Sequence, residues 1–225
     1  MNLAFSTPAF WAGVAACYLV GAIPFSFIIG KLHGVDIRKV GSGNIGATNL
    51  GRALGKKWGY AALGLDITKG LFAAAILPWL MLTWGLIDHR IPFNAFAGAA
   101  AILGHIYPVY LLFRGGKGVA TTVGVFGALL GYWLAIPLAI YWLVAKFSDY
   151  VSLGSISFAV ALPVTAWIQY GSSADNCWVS AIALVAAAFV IWRHRGNITR
   201  LWQGTEPRRS AIKETGQATG SHPDG

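Results

Sequence analysis

The sequence predicts an all-α protein, a polytopic bundle of seven transmembrane helices with its N-terminus outside and its C-terminus inside. Three observations predict it. Of 225 residues, 56% are hydrophobic and only 11% charged, whereas a soluble domain carries about 25% charged residues; this chain cannot clothe a water-facing surface. Apolar runs near twenty residues recur, each long enough to cross a hydrocarbon core about 30 Å thick. Lys and Arg gather in alternate gaps between those runs, as the positive-inside rule requires. The net charge of +9, from 17 Lys and Arg against 8 Asp and Glu, therefore reads as topology and attraction to anionic headgroups, and nucleic acid is not expected as a partner.

The clear spans lie at about 10–31, 59–86, 93–113, 153–170 and 176–192. The first run is too long for the apolar core of a cleavable signal, and no basic segment precedes it. The stretch from Val119 to Phe147 is longer than one span needs, at about 43 Å as a single helix. Split in two it gives short spans of about 20 Å each. Charge decides for the split. With seven spans, Lys31, Arg38, Lys39, Arg52, Lys56, Lys57, Arg114, Lys117, Lys146 and the basic C-terminal segment all share one side, leaving only Arg90 opposite and Lys69 within a span. Gly127, Gly131 and Pro137 are the expected places for the break. Small residues such as the Ala97–Gly98–Ala99–Ala100–Ala101 run serve close helix packing. Cys17 and Cys177 lie in apolar runs without metal-ligand spacing and are expected as small buried hydrophobes. The integral membrane domain extends over residues 1–206, and the polar tail 207–225 is expected to be disordered in the cytoplasm.

Three polar segments fall on the cytoplasmic side. The first runs Gly41-Ser42-Gly43-Asn44-Ile45-Gly46-Ala47-Thr48-Asn49-Leu50-Gly51-Arg52. It matches the glycine pattern of a dinucleotide fold, but membrane spans flank it where a strand and a βαβ unit are required. What survives is a loop able to point N–H groups at an anion, with Arg52 offering a bidentate fork. Ser42, Gly43, Asn44, Thr48 and Asn49 belong to that loop. The second, Arg114-Gly115-Gly116-Lys117-Gly118-Val119-Ala120-Thr121-Thr122, fails the P-loop pattern because Gly118 follows Lys117. It still reads as a glycine turn feeding a helix N-terminus, a ready anion site. The third runs from His194 through Asn197 and Arg200 to Glu206; Leu201 and Trp202 in it suit an interfacial anchor. Two anion loops on one side suggest two phosphates at one site.

Taken in order, GSGNIGATNLGRALG, GGKGVATT and HRGNITRLWQGTE resemble the three cytoplasmic motifs of the bacterial acyl-phosphate:glycerol-3-phosphate acyltransferases of the inner membrane. The likeness runs from the first span to Glu206. It implies transfer of a fatty acyl group from acyl phosphate to the 1-hydroxyl of glycerol 3-phosphate, giving lysophosphatidic acid and phosphate, with no cofactor and no metal. It further implies that Ser42 and Arg52 serve catalysis and substrate binding. By the same likeness Gly115, Gly116, Lys117, Gly118 and Thr121 bind a phosphate, His194 and Asn197 line the site, and Glu206 is structural. Proton removal is expected to fall to the donor's own phosphate, with His194 as the other possible base. The H-x-x-x-x-D motif of the acyl-CoA-dependent acyltransferases is absent.

The rival class is a transporter of a phosphorylated anion. Such a protein should carry polar groups at the bilayer midplane within an inverted repeat. Here they gather at one end. Asp66 and Lys69 are expected to pair at i, i+3, and His105 to be a satisfied packing residue.

Overall fold

A computed structural model describes residues 7–87, 90–171 and 176–210; side chains at 90–92 are not described. Every regular element among the described residues is a helix, and there is no strand. The helices are α1 (Pro8–Ala22), α2 (Phe25–Leu32), α3 (Ala47–Leu54), α4 (Lys56–Leu71), α5 (Leu77–Thr83), α6 (Arg90–Ile106), α7 (Val119–Leu130), α8 (Ala135–Ser148), α9 (Val151–Tyr170), α10 (Cys177–Arg193) and α11 (Arg195–Trp202). Thr7 caps α1 by accepting from Phe10 N at 3.3 Å, and Pro8 sits where a missing N–H costs nothing. Pro24 then separates α1 from α2. A π-turn at Phe72–Ile76 joins α4 to α5.

Four helical stretches among the described residues are long and apolar enough to cross a membrane: Pro8–Leu32, Lys56–Thr83, Val119–Ser148 and Val151–Tyr170. Only when α10 and α11, bent by 53° at the break between them, are counted together does the number reach five. Within Val119–Ser148 the helix breaks at a 3-10 turn, Gly131–Leu134. Of the three expected break points Gly131 supplies it, with φ +57; Gly127 lies inside α7, and Pro137 sits in the first turn of α8. Both ends of this stretch come to the same side of the molecule. Lys117 bonds Asn197, Asn197 bonds Glu206, and Ser210, four residues later, bonds Asp149 at the end of α8. The third expected span ends earlier than its apolar run. α6 stops at Ile106 because Pro108 has no N–H to continue it, and Leu112 and Phe113 then take left-handed backbone, φ +51 and +62.

Close backbone approach at glycine holds the bundle together. A Cβ at Gly21 would overlap the Ala101 backbone, and one at Gly104 the Tyr18 carbonyl, so α1 and α6 touch main chain to main chain. Gly70 meets the Thr121 carbonyl and Gly124 the Ile67 carbonyl, bringing α4 and α7 into the same contact. The expectation for the cysteines holds only in part: Cys17 is buried, whereas Cys177, the first residue of α10, is exposed. Of the expected tail, residues 211–225 lie outside the described residues.

Candidate active site

The three polar segments converge on one cavity of about 260 Å³. Ser42, Asn44, Thr48, Asn49, Arg52, Lys117, Gly118, His194, Asn197 and Glu206 all line it, while Leu63, Ile67, Val123, Leu138, Tyr141 and Phe158 form an apolar wall. Gly43, Gly115, Gly116 and Thr121 do not line it.

The first segment is shaped by one amide. Asn49 is 1% exposed; its Nδ2 donates to Ile37 O at 2.8 Å and Val40 O at 3.0 Å, and its Oδ1 accepts from Ser42 N at 3.0 Å. Asn49, expected as a substrate ligand, lines the cavity and uses its amide on the backbone of the loop that presents Ser42. Gly41 and Gly43 carry the left-handed turns this path needs, φ +57 and +67. Arg52 follows on α3, half-buried, and makes no ion pair among the described residues. Burial holds it below its usual pKa, and only the more distant Glu206 carboxylate favours its charge. An unpaired guanidinium fork in such a cleft is suited to a phosphate.

The glycine turn is held by protein contacts on its first two residues. Gly116 N donates to His105 O at 3.1 Å. The carbonyls of Gly115 and Gly116 accept from Arg193, Nη2 at 2.7 Å and Nε at 3.0 Å. Protein thus holds one N–H and two carbonyls of the turn, and its glycines also answer a steric demand. A Cβ at Gly115 would overlap the carbonyls of His105 and Ile106, and one at Gly116 the His105 ring. What the turn delivers to the cavity is Lys117 and, through Gly118 at φ +85, the N-terminus of α7. Thr121, fully buried, belongs to the α4–α7 contact.

Lys117 Nζ donates to Asn197 Oδ1 at 2.5 Å, Asn197 Nδ2 donates to Glu206 Oε1 at 2.7 Å, and Arg200 Nε donates to Glu206 Oε2 at 2.8 Å. Burial lowers the lysine to about 8, against the opposing pull of Glu206 and with further lowering by Arg200, Arg52 and Arg193. Burial alone would raise Glu206; Ser152, Asn197 and Arg200 around it outweigh that and hold the carboxyl below its usual range. The Ser152 hydroxyl lies beside it without a hydrogen bond of standard geometry, so Asn197 and Arg200 are the firm partners. His194 Nδ1 donates to Val190 O at 2.7 Å, which leaves Nε2 as the acceptor. Burial, then the Lys117 charge, lower this imidazole to about 4, so it is neutral at pH 7. Trp202 stands out at the end of α11, 92% exposed, as an interfacial anchor needs.

Sequence reasoning missed two kinds of contributor. Arg193 read as a topology charge, yet it clamps the glycine turn. Asp66 and His105, expected only as a helix-pairing and a packing residue, line the cavity. The expected Asp66–Lys69 pair forms at 2.8 Å, and His105 Nδ1 adds to it at 3.5 Å from the same oxygen. Spans twenty residues wide in sequence hide such convergence; its one available signal was the presence of ionisable residues in apolar runs.

Comparison with known proteins agrees with the geometry. The model of a family described as glycerol-3-phosphate acyltransferase matches residues 11–204. A glycerol-3-phosphate acyltransferase of Trichlorobacter lovleyi is 44% identical over 202 residues, covering 90% of this chain and 97% of the relative. One from Endomicrobium trichonymphae is 42% identical over 198 residues, covering 88% and 94%. Among solved structures the chain is similar to PlsY (YgiH), an integral membrane glycerol 3-phosphate acyltransferase. Its glycerol 3-phosphate form gives a TM-score of 0.76 at 39% identity, over 88% of this chain and 94% of that one. Its lysophosphatidic acid form gives 0.77 at 36%, over 91% and 98%. The chain thus belongs to the glycerol-3-phosphate acyltransferase family, as an integral membrane enzyme.

Proposed function

We propose that the donor is an acyl phosphate and that the enzyme transfers its acyl group to the 1-hydroxyl of glycerol 3-phosphate, releasing lysophosphatidic acid and phosphate. The observation that carries this is the cavity itself. It joins two separate cationic groups, Arg52 and Lys117, to an apolar wall, which suits two phosphates and one acyl chain. The glycerol-3-phosphate acyltransferases among its relatives, and the glycerol 3-phosphate and lysophosphatidic acid forms of PlsY, support the acceptor and the product.

The hydroxyl oxygen attacks the acyl carbonyl, the carbon–oxygen bond to phosphate breaks, and the hydroxyl proton goes to the departing phosphate. His194 is a poor base at a pKa of about 4, while a phosphate monoester with a second pKa of about 6 accepts a proton near neutral pH. Ser42 sits at the cavity to orient a substrate oxygen. Arg52 and Lys117 stabilise phosphate charge in a site partly shielded from water, where fixed charges act most strongly. His194 and Asn197 orient, and Glu206 braces Asn197.

The same reading takes seven spans, N-terminus out and C-terminus in, in the bacterial inner membrane with the cavity facing the cytoplasm. Residues 1–206 form the membrane domain and 207–225 a cytoplasmic tail. Support comes from the one-sided Lys and Arg, from the break at Gly131, and from the return of both ends of Val119–Ser148 to the side of α11. Purified protein should make lysophosphatidic acid from acyl phosphate and glycerol 3-phosphate, and none from acyl-CoA. Efficient turnover of acyl-CoA would overturn the assignment of the donor.

A further inference from the structure

Lys69, Asp66 and His105 form a second ionisable group, 4%, 2% and 9% exposed. Lys69 Nζ lies 2.8 Å from Asp66 Oδ1 and donates at 3.0 Å to Ile23 O, at the break between α1 and α2. His105 Nδ1 lies 3.5 Å from the same carboxylate oxygen. Burying charges among apolar spans is costly, and packed apolar side chains would join these helices at less cost. The cluster therefore asks for a role besides packing.

His105 is seated on the glycine turn. Its carbonyl accepts from Gly116 N at 3.1 Å, and its ring lies so near the Gly116 Cα that a methyl there would overlap Nε2. Arg193 holds the turn from its carbonyl side. The turn is gripped through an N–H, two carbonyls and its Cα face, and the next residue is Lys117. Nδ1 faces Asp66 Oδ1 at 3.5 Å, outside hydrogen-bond geometry but close enough for the buried carboxylate's charge to favour that ring orientation.

We propose that Asp66 and His105 are positioning residues for Lys117. The carboxylate orients the imidazole, the imidazole fixes the Gly115–Gly116 turn, and the turn sets where the ammonium stands in the cavity. This rests on the reading that Lys117 acts on a substrate phosphate. Misplacing a catalytic group by about 1 Å costs on the order of a hundredfold in rate, so the effect belongs in kcat.

The test is a double-mutant cycle on purified protein, with kinetics and thermal unfolding measured on every variant. Gly116→Ala alone should lower kcat on the order of a hundredfold, because its methyl pushes ring and turn apart. In a His105→Ala background the same change should cost little more, a coupling of about tenfold or greater. His105→Asn, which keeps a donor for Asp66, should recover part of the rate, and Asp66→Asn should lower kcat more than it raises KM. If His105→Ala does not fold, His105→Asn carries the cycle. A merely structural role predicts additive costs and activity falling in step with Tm; that result, or a wild-type kcat in His105→Ala, overturns the proposal. Wild-type kinetics in Lys117→Ala would remove the phosphate role, and this proposal with it. Additive costs beside an inactive Lys117→Ala would overturn the positioning alone.

Discussion

Lys117 and Asn197, 80 positions apart in the chain, meet with the lysine Nζ donating to the amide Oδ1. The contact settles which way the amide faces, since its Nδ2 is then the group that donates to Glu206. A row Lys117–Asn197–Glu206–Arg200 results, in which the Asn197 amide uses both its ends and each Glu206 oxygen takes one donor. Removing any member leaves a neighbour unsatisfied.

The first prediction concerns charge on Lys117, whose pKa is about 8. The ammonium is present below that value and is lost as pH rises through it. The rate should therefore fall on the alkaline side with a limb near pH 8. Lys117→Arg should carry that limb out of the accessible range, whatever rate it retains. A limb unmoved in the arginine variant would assign the titration to another group.

His194 should leave the neutral region untouched. At a pKa of about 4 it is already neutral at pH 6–7, so His194→Ala should lower activity through lost orientation without deleting a limb between pH 6 and 7. An acidic limb near 6 should persist, set by the donor phosphate. Its disappearance in the alanine variant would make His194 the base after all.

Arg52→Lys keeps the charge but loses the planar fork. A loss in kcat/KM on the order of a hundredfold is expected, with the melting temperature unchanged. Near-wild-type kinetics would take Arg52 out of the site.

Glu206→Ala should act on stability as well as rate, by about 1–3 kcal/mol, because Asn197 loses its acceptor. The pH sign follows from the folded carboxyl ionising below its unfolded value. Its contribution is complete above the unfolded pKa of about 4.3 and drains away as pH falls. Thermal melts of wild type and variant should thus converge in acid.

Orientation can be read by cysteine labelling in a Cys-free background. Positions 43, 114 and 205 are exposed and should all react from the cytoplasmic side. Reaction of position 205 from outside would sink the seven-span reading.

The sequence disclosed the class of fold and the three segments of the site because both are written locally, as apolar runs and as glycines among basic and amide residues. It disclosed less about what each residue does. Asn49 and Asn197 are the same amide, yet one is consumed by the backbone around Ser42 and the other faces Lys117; only tertiary partners separate them. The glycines of 115–116 signalled close approach, and the protein group that approaches them is His105, which their sequence does not name. The third span was drawn too long because its apolar run was weighed above Pro108. Asp66 and His105, 39 positions apart on different helices, carry no joint signal along the chain.

The clasp between Ser210 and Asp149 has a practical side. Ser210 N donates to Asp149 Oδ1 at 3.1 Å and Arg209 N to Asp149 O at 2.7 Å, two residues before Val151 and Ser152 enter the cavity wall. The segment after Glu206 is therefore stitched to the wall of the reaction chamber. An affinity handle or reporter fused directly behind Glu206 would pull that stitch open, whereas one attached beyond Ser210 leaves it closed.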